Sequence, residues 1–197
     1  LPIYQIFIKF RKYSDKIFEA SQSGQVTINE MYIYRIQAAL KEYYLEIDEA
    51  HALAFQTKYY VYQQDITTSN AIKDLLKDNH IGIGIITNGP ACHQMEKLRR
   101  LKMSNWVALE DIYISSVVGY SKPDPQIFNL ITDKDCIYVG DSYENDVIGA
   151  KNANWKCIWL NKKGLKAMDI KPDYEVNDEE ALLNLISKIV KEYAQKM

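Results

Sequence analysis

The sequence has little of what marks a secreted or membrane protein. It holds three cysteines in 197 residues, Cys92, Cys136 and Cys157. So sparse and odd a set fits a reduced protein better than a disulfide framework. Cys136 and Cys157 each open an apolar, strand-like run, where a free thiol behaves as a small buried hydrophobe. A reducing, cytoplasmic setting is therefore expected. The longest apolar run, Ile81 to Ile86, falls far short of the roughly 20 residues a bilayer span needs. No membrane association is expected, and no secretory signal pattern is present. Neither sign of charge dominates: 24 basic residues face 26 acidic ones, for a net charge of −2. That balance argues against a nucleic-acid or other polyanion surface. Internal repeats, low-complexity tracts and long charge blocks are missing. So is an initiator Met, because the chain begins Leu1-Pro2.

What is there is a normal globular balance, 47% hydrophobic against 25% charged. The length suits one ordinary domain plus a smaller subdomain. Residues 1–20 read as a helix, with Ile3, Ile6, Phe7, Phe10, Tyr13 and Ile17 at three- and four-residue steps. Ser21 to Gly24 interrupts it. Thr27-Ile28-Asn29-Glu30 matches a capping box, in which hydroxyl and carboxylate satisfy first-turn N–H groups. The helix it opens aligns Ile33, Ile36, Leu40 and Tyr43. A third helix, Asp48 to Tyr62, keeps Ala50, Leu53, Ala54 and Val61 in phase. Three helices with short connections predict a small antiparallel bundle. Most of the tyrosines lie here. They suit packing, and their polar tips also suit a substrate pocket.

After Gln64 the period changes. Helices at Thr68–Lys77, Pro90–Leu101, Pro125–Ile131 and Glu144–Asn152 alternate with strands at Ile81–Ile86, Ile112–Ser115, Ile137–Val139 and Cys157–Leu160. A short extended run at Tyr174–Val176 and an amphipathic helix carrying Leu182, Leu185, Ile186, Ile189 and Tyr193 close the pattern. Alternation of this kind predicts an α/β fold, a Rossmann-like parallel sheet with helices on both faces. The expected organisation is a helical subdomain over 1–64 and an α/β core over 65–197.

In open α/β sheets, ligands bind beyond the carboxyl ends of the strands. Thr87-Asn88-Gly89-Pro90 follows one strand. The Thr87 hydroxyl and the N–H groups of Asn88 and Gly89, at a helix mouth, could bind a phosphate. The same residues also make an ordinary turn with Pro at the first helical position. Lys122 precedes Pro123, which biases its backbone to an extended form at a helix entrance. It is either a fixed point charge for an anion or a solvated surface lysine. Gly140-Asp141-Ser142 ends the Ile137–Val139 run, and Asp146 follows. Asp141 and Asp146 either share a hard cation such as Mg²⁺ or cap a helix. Asn161-Lys162-Lys163-Gly164 after Leu160 reads as a loop without a catalytic role.

Taken in order, Thr-Asn-Gly-Pro, Lys122-Pro-Asp-Pro and Gly140-Asp-Ser-x-x-Asn-Asp146 resemble the haloacid dehalogenase superfamily, the aspartate-nucleophile phosphohydrolases. The resemblance covers nearly the whole chain and is nearest the subgroup with a helical-bundle cap inserted after the first motif. It implies that Thr87 binds phosphate through its hydroxyl and that Asn88 adds a hydrogen bond near the same phosphate. It implies that Lys122 neutralises phosphate and nucleophile, and that Asp141 is the Mg²⁺ ligand. Asp146 would act on metal-bound water or hold Lys122. In such enzymes an aspartate attacks phosphorus, and a second aspartate two residues on protonates the leaving group. Haloacid dehalogenases need no metal and resemble Ser-Ser-Asn where this chain has Asp141, so the acids favour a Mg²⁺-dependent phosphatase. The implied substrate is a small phosphorylated metabolite, a nucleotide or sugar phosphate, acted on by a monomer or dimer.

The sequence departs from that pattern in one respect. No Asp-x-Asp-x-Thr follows a strand. Asp133-Lys134-Asp135 has the spacing but precedes a strand and belongs to the opposite edge of the sheet. The nucleophile, with its strand and loop, is expected upstream of Leu1, over about ten to fifteen residues. The residues from Leu1 onward are then inactive alone. The alternatives are a non-catalytic phospho-ligand-binding relative and a haloacid dehalogenase-type hydrolase. A milder departure is the short segment between Phe128 and Cys136.

Overall fold

A computed structural model describes residues 2–77, 81–133 and 135–195. The chain divides into two compact units, Leu1–Ile66 and Thr67–Met197.

The first unit is three helices: α1 (Ile3–Gln22), α2 (Ile28–Lys41) and α3 (Glu49–Tyr62). The capping box at the start of α2 forms. Glu30 N–H donates to Thr27 Oγ1 at 3.2 Å, and Thr27 N–H donates to Glu30 Oε2 at 2.7 Å. Asp48 caps α3 by accepting from His51 N–H at 2.8 Å. Phe10, Ile36, Ala39 and Ala52 form the core, with Phe55 and Tyr59 edge-on to Phe10. Arg35 is buried among them, an outcome periodicity gave no sign of. Its guanidinium lies over the rings of Phe10 and Tyr32, at 4.5 and 4.9 Å, and donates to Ser14 and Gln56. At the start of α1 the apolar pattern is not buried: Ile3, Tyr4, Phe7 and Ile8 are exposed.

The second unit is α/β, with every strand pairing parallel. Its helices are α4 (Asn70–Leu76), α5 (Ala91–Arg100), α6 (Ser115–Val118), α7 (Pro125–Asn129), α8 (Ile148–Asn152) and α9 (Glu179–Ala194). Its strands are β1 (Ile85–Thr87), β2 (Ile112–Ile114), β3 (Ile137–Gly140), β4 (Lys156–Leu160) and β5 (Tyr174–Val176). β1 pairs with β2, and β3, β4 and β5 pair in that order. Among the described residues no ladder joins the two groups, so two parallel sheets stand where one was expected. β1 begins at Ile85, four residues later than periodicity suggests. Gly82 and Gly84 alternate through the earlier part and supply no side chain to pack. The expected strand through Ser115 ends at Ile114, and Ser115 opens a helical turn.

β4 alternates faces as a doubly covered strand should. Cys157 and Trp159 join Phe128, Tyr143, Val147 and Ala150 on one side. Ile158 packs with Leu182 and Ile189 of α9 on the other. The expected helix over Glu144–Asn152 is a π-helical turn, Tyr143–Val147, followed by α8. The Ser142 carbonyl accepts from both Asp146 N–H and Val147 N–H, at 2.8 and 3.3 Å, which widens the turn. Among the described residues no helix is long and apolar enough to cross a membrane.

Candidate functional site

The π-turn exists where Asp146 folds back on the end of β3. Its side chain is 5% exposed and saturated with donors. Oδ2 accepts from the N–H groups of Asp141 and Ser142, at 3.1 and 2.9 Å. Oδ1 accepts from Lys122 Nζ at 2.6 Å and from the Tyr138 hydroxyl at 3.0 Å. Gly140 makes room for this. A Cβ on Gly140 would lie 2.4 Å from both Cβ and Cγ of Asp146. With four acceptor positions taken, Asp146 has no lone pair left for a metal. Of the two roles the resemblance implied for it, the contact seen here is the one with Lys122.

Lys122 is held at both ends. Its side chain is 12% exposed, and its ammonium donates to Asp146 and, at 2.8 Å, to the Tyr138 hydroxyl. Its backbone is splinted by Asn88, whose Nδ2 donates to Lys122 O at 2.8 Å while Oδ1 accepts from Lys122 N–H at 2.9 Å. The Lys122–Pro123 peptide is cis. The Asn88 amide thus spends both polar atoms on the chain 34 residues on. The hydrogen bond near a phosphate that the resemblance implies for Asn88 is not open to this side chain while it holds the backbone. Burial, followed by the negative charge of Asp146, pushes the Tyr138 phenol far above its ordinary value, so the hydroxyl keeps its proton.

Thr87 ends β1. Its hydroxyl donates to Gln94 Oε1 at 3.1 Å, and Gln94 Nε2 donates to Asn88 O at 3.0 Å. Gln94, one turn into α5, therefore covers the strand end. Gly89 lies beneath it with φ +145°, and a Cβ there would lie 2.3 Å from Gln94 Nε2. The Gly89 N–H donates to Ser115 Oγ at 3.0 Å. The phosphate-binding role expected of Thr87 and Gly89 requires these internal bonds to be exchanged for ligand bonds.

Asp141 differs from all of these. It is exposed, and its carboxylate has no hydrogen bond or ion pair among the described residues. Its backbone is fixed, because Trp159 Nε1 donates to Asp141 O at 3.2 Å and its N–H is held by Asp146. An anchored but unspent carboxylate fits the donor chemistry of Mg²⁺, which takes one or two carboxylates and fills its remaining positions with water and phosphate oxygens. Among the described residues no group of three acids, histidines or cysteines gathers at a metal-binding distance. Asp135, at the amino end of β3, stands at the opposite end of the strand from Asp141. Lys134, the centre of that Asp-x-Asp, lies outside the described residues.

A family profile described as haloacid dehalogenase-like hydrolase matches residues 4–160, well over half of the chain. The chain belongs to this family. Within it, a glyceraldehyde 3-phosphate phosphatase from Pyrococcus furiosus is 27% identical over 149 residues, covering 71% of this chain and 61% of that protein. The chain spans about half to three-fifths of the length of the first curated relatives it matches. Among solved structures, the putative HAD-hydrolase YfnB from Bacillus subtilis, bound to magnesium, superposes with a TM-score of 0.67 at 24% identity, covering 94% of this chain and 82% of that one. The L-2-haloacid dehalogenase from Xanthobacter autotrophicus superposes at 0.65 with 15% identity, covering 93% and 86%. At these identities the likeness is one of fold.

Family motifs do not reveal the residues that hold this site together. Tyr138 reads in sequence as one more apolar strand residue, yet its hydroxyl bridges Lys122 and Asp146. Its i+8 separation from Asp146 is visible only once β3 and the π-turn are folded. Gln94 and Ser115 carry no sequence signal beyond being polar at the start of a helix.

Proposed function

We propose that the full-length protein is a phosphohydrolase acting on a small phosphomonoester, with Mg²⁺ at Asp141. The observation that carries this reading is the contrast at the end of β3. Asp141 is anchored and free, whereas Asp146, five residues on, is consumed in clamping Lys122. A free acid beside a clamped cation suits a dianionic group undergoing transfer, which needs positioning and charge neutralisation more than bond-making by the protein. The phosphatase name of the archaeal relative supports the same class, and the dehalogenase likeness, at 15% identity, bears on fold alone.

In this reading the Lys122 ammonium neutralises phosphoryl oxygens, held in place by Asp146 and Tyr138 while Asn88 fixes its backbone. Thr87 turns its hydroxyl from Gln94 to a phosphate oxygen. Mg²⁺ supplies Lewis-acid polarisation of the phosphate when bound. The attacking group is an aspartate carboxylate, as in the family pattern. It forms the aspartyl-phosphate as the bond from phosphorus to the leaving alcohol breaks, and water then hydrolyses the acyl phosphate. Residues 1–64 act as the cap that selects the substrate and excludes water.

The test is phosphate release by the full-length protein from a panel of nucleotides, sugar phosphates and other phosphomonoesters, with Mg²⁺ and with EDTA. Activity is expected only with the metal, and Asp141→Asn should lower kcat by about a hundredfold or more, the scale of losing one electrostatic stabiliser of the transferring group. No release across the panel defeats the reading. A thermal shift with phosphorylated ligands but no turnover would instead favour a binding protein.

A further inference from the structure

The loop after β4, given no role by its sequence, lines a cavity together with Asp141. The cavity measures about 380 Å³, toward the small end of the range for metabolite sites. Val139, Leu160 and Leu165 make its apolar walls, and Asp141, Lys162 and Lys163 its charged rim. Gly140 pairs in register with Trp159, so Asp141 and Leu160 continue side by side from adjacent parallel strands. Such strands lie about 4.8 Å apart. A ligand held at Asp141 is therefore within one small-molecule length of the loop.

This loop is built, not slack. Asn161 is 3% exposed. Its Nδ2 donates to Leu165 O at 2.8 Å and to Glu175 Oε1 at 2.6 Å, and its Oδ1 accepts from Leu165 N–H at 2.9 Å. Asn161 N–H donates to Val176 O at 2.7 Å, and Gly164, at φ +61°, closes the turn onto Asn161 O at 3.2 Å. One buried amide thus ties the loop to itself and to β5. The two lysines it presents have no ion-pair partner among the described residues. Two unpaired cations on a fixed loop, above apolar walls, are complementary to an anion on a short carbon chain. Lys122, by contrast, has its ammonium bound to Asp146 and Tyr138.

We infer that Lys162 and Lys163 form a subsite for a second anionic group, a carboxylate or a further phosphate, on the leaving-group side of the substrate. The inference rests on the phosphohydrolase reading of the site and narrows its substrates to small phosphomonoesters with two anionic groups. Lys122 and Asp141 engage the reacting phosphate, the apolar walls take the carbon chain, and the loop takes the distal anion.

The discriminating pair of probes is 3-phosphoglycerate and glycerol 3-phosphate, equal in carbon number and different in the carboxylate. For the full-length protein the ratio of their kcat/KM values should favour 3-phosphoglycerate. In Lys162→Gln/Lys163→Gln that ratio should fall about tenfold, carried in KM, as for one lost charge-assisted contact. Lys166→Gln, outside this cavity, should leave the ratio as it was. An unchanged ratio in the double variant, or an equal fall in Lys166→Gln, overturns the subsite while leaving the phosphohydrolase reading intact. If neither probe is turned over, the phosphohydrolase reading is still decided by the wider panel of phosphomonoesters. The subsite is then judged by calorimetric titration of 3-phosphoglycerate against glycerol 3-phosphate. Tighter binding of the former, lost in the double variant, supports it, and equal binding sinks it.

Discussion

Lys122 Nζ lies 2.6 Å from Asp146 Oδ1, with only 12% and 5% of the two side chains exposed. Two charges brought this far out of water cost more than their attraction returns unless the remaining hydrogen-bonding capacity is filled. Here it is filled, by Tyr138 and by the N–H groups of Asp141 and Ser142. The pair therefore ties three things together: the entrance to α7, the middle of β3 and the loop that carries Asp141.

Removing one member of the pair should be worse than removing both. Lys122→Met or Asp146→Asn alone is expected to lower unfolding stability by about 3–5 kcal/mol, because the survivor is left as an uncompensated buried group. The double variant should lose less than either single variant. Urea unfolding of the four proteins gives the coupling, and simple additivity would show that the pair is not energetically joined.

Tyr138→Phe keeps the ring and deletes the bridge. The loss should be about 1–2 kcal/mol in stability, the scale of a buried hydroxyl whose partners stay behind. Burial and then the Asp146 charge hold the phenol protonated well above its usual range. Wild type and variant should therefore share the same alkaline limb in a pH–rate profile up to pH about 10, the ordinary phenol value. A limb present only in the wild type would mean that Tyr138 titrates.

Gly140→Ala places a methyl 2.4 Å from Asp146 Cβ and Cγ. Neither neighbour can give way without pulling Asp146 off Lys122 or the loop off Asp146. A loss of about 1–3 kcal/mol is expected, as for overpacking elsewhere, with activity falling further than stability because the Asp141 loop moves. Full activity in this variant would contradict the geometry of the turn.

The cysteines report on the α/β core. Cys92 is exposed and Cys157 is fully buried. Iodoacetamide should modify Cys92 in the native protein and Cys157 only on unfolding, as read by peptide mass spectrometry. Burial, then the charges of Asp146 and Asp173, pushes the Cys157 thiol up to about 12. The folded state holds this proton more tightly than the unfolded chain does. The term is therefore silent at neutral pH and erodes stability as pH rises from about 8.5, the free thiol value, toward 12. Cys157→Ala should flatten that alkaline decline, and an unchanged slope would point to another group.

The candidate residues could be picked out in the chain because polar residues interrupt apolar strands at Thr87 and Gly140, where a parallel sheet presents its carboxyl ends, and because Lys122 precedes a proline at a helix entrance. Thr87, Lys122 and Asp141 stood out for those reasons. What they do with their hydrogen bonds did not. Asn88 looked like a ligand donor and is a splint for a backbone 34 residues away. Asp146 could be read as sharing a cation, acting on metal-bound water or holding Lys122, and its four donors, Lys122 among them, show the last of these contacts. The Asn161–Leu165 loop looked like a connection, and only its internal bonds show that it is rigid.

By itself the sequence determined the order of elements, the change of period near residue 64 and the parallel α/β class. Those follow from local propensity and from which faces must be buried, and both are written in neighbouring residues. The tertiary structure decided which polar atoms find each other. Lys122 and Asp146 are 24 residues apart, and Asn161 and Glu175 are 14 apart. Only the packing of strand ends and turns brings such atoms within hydrogen-bonding reach. It is also packing that leaves Asp141, Lys162 and Lys163 on the rim of this crevice without a side-chain partner among the described residues.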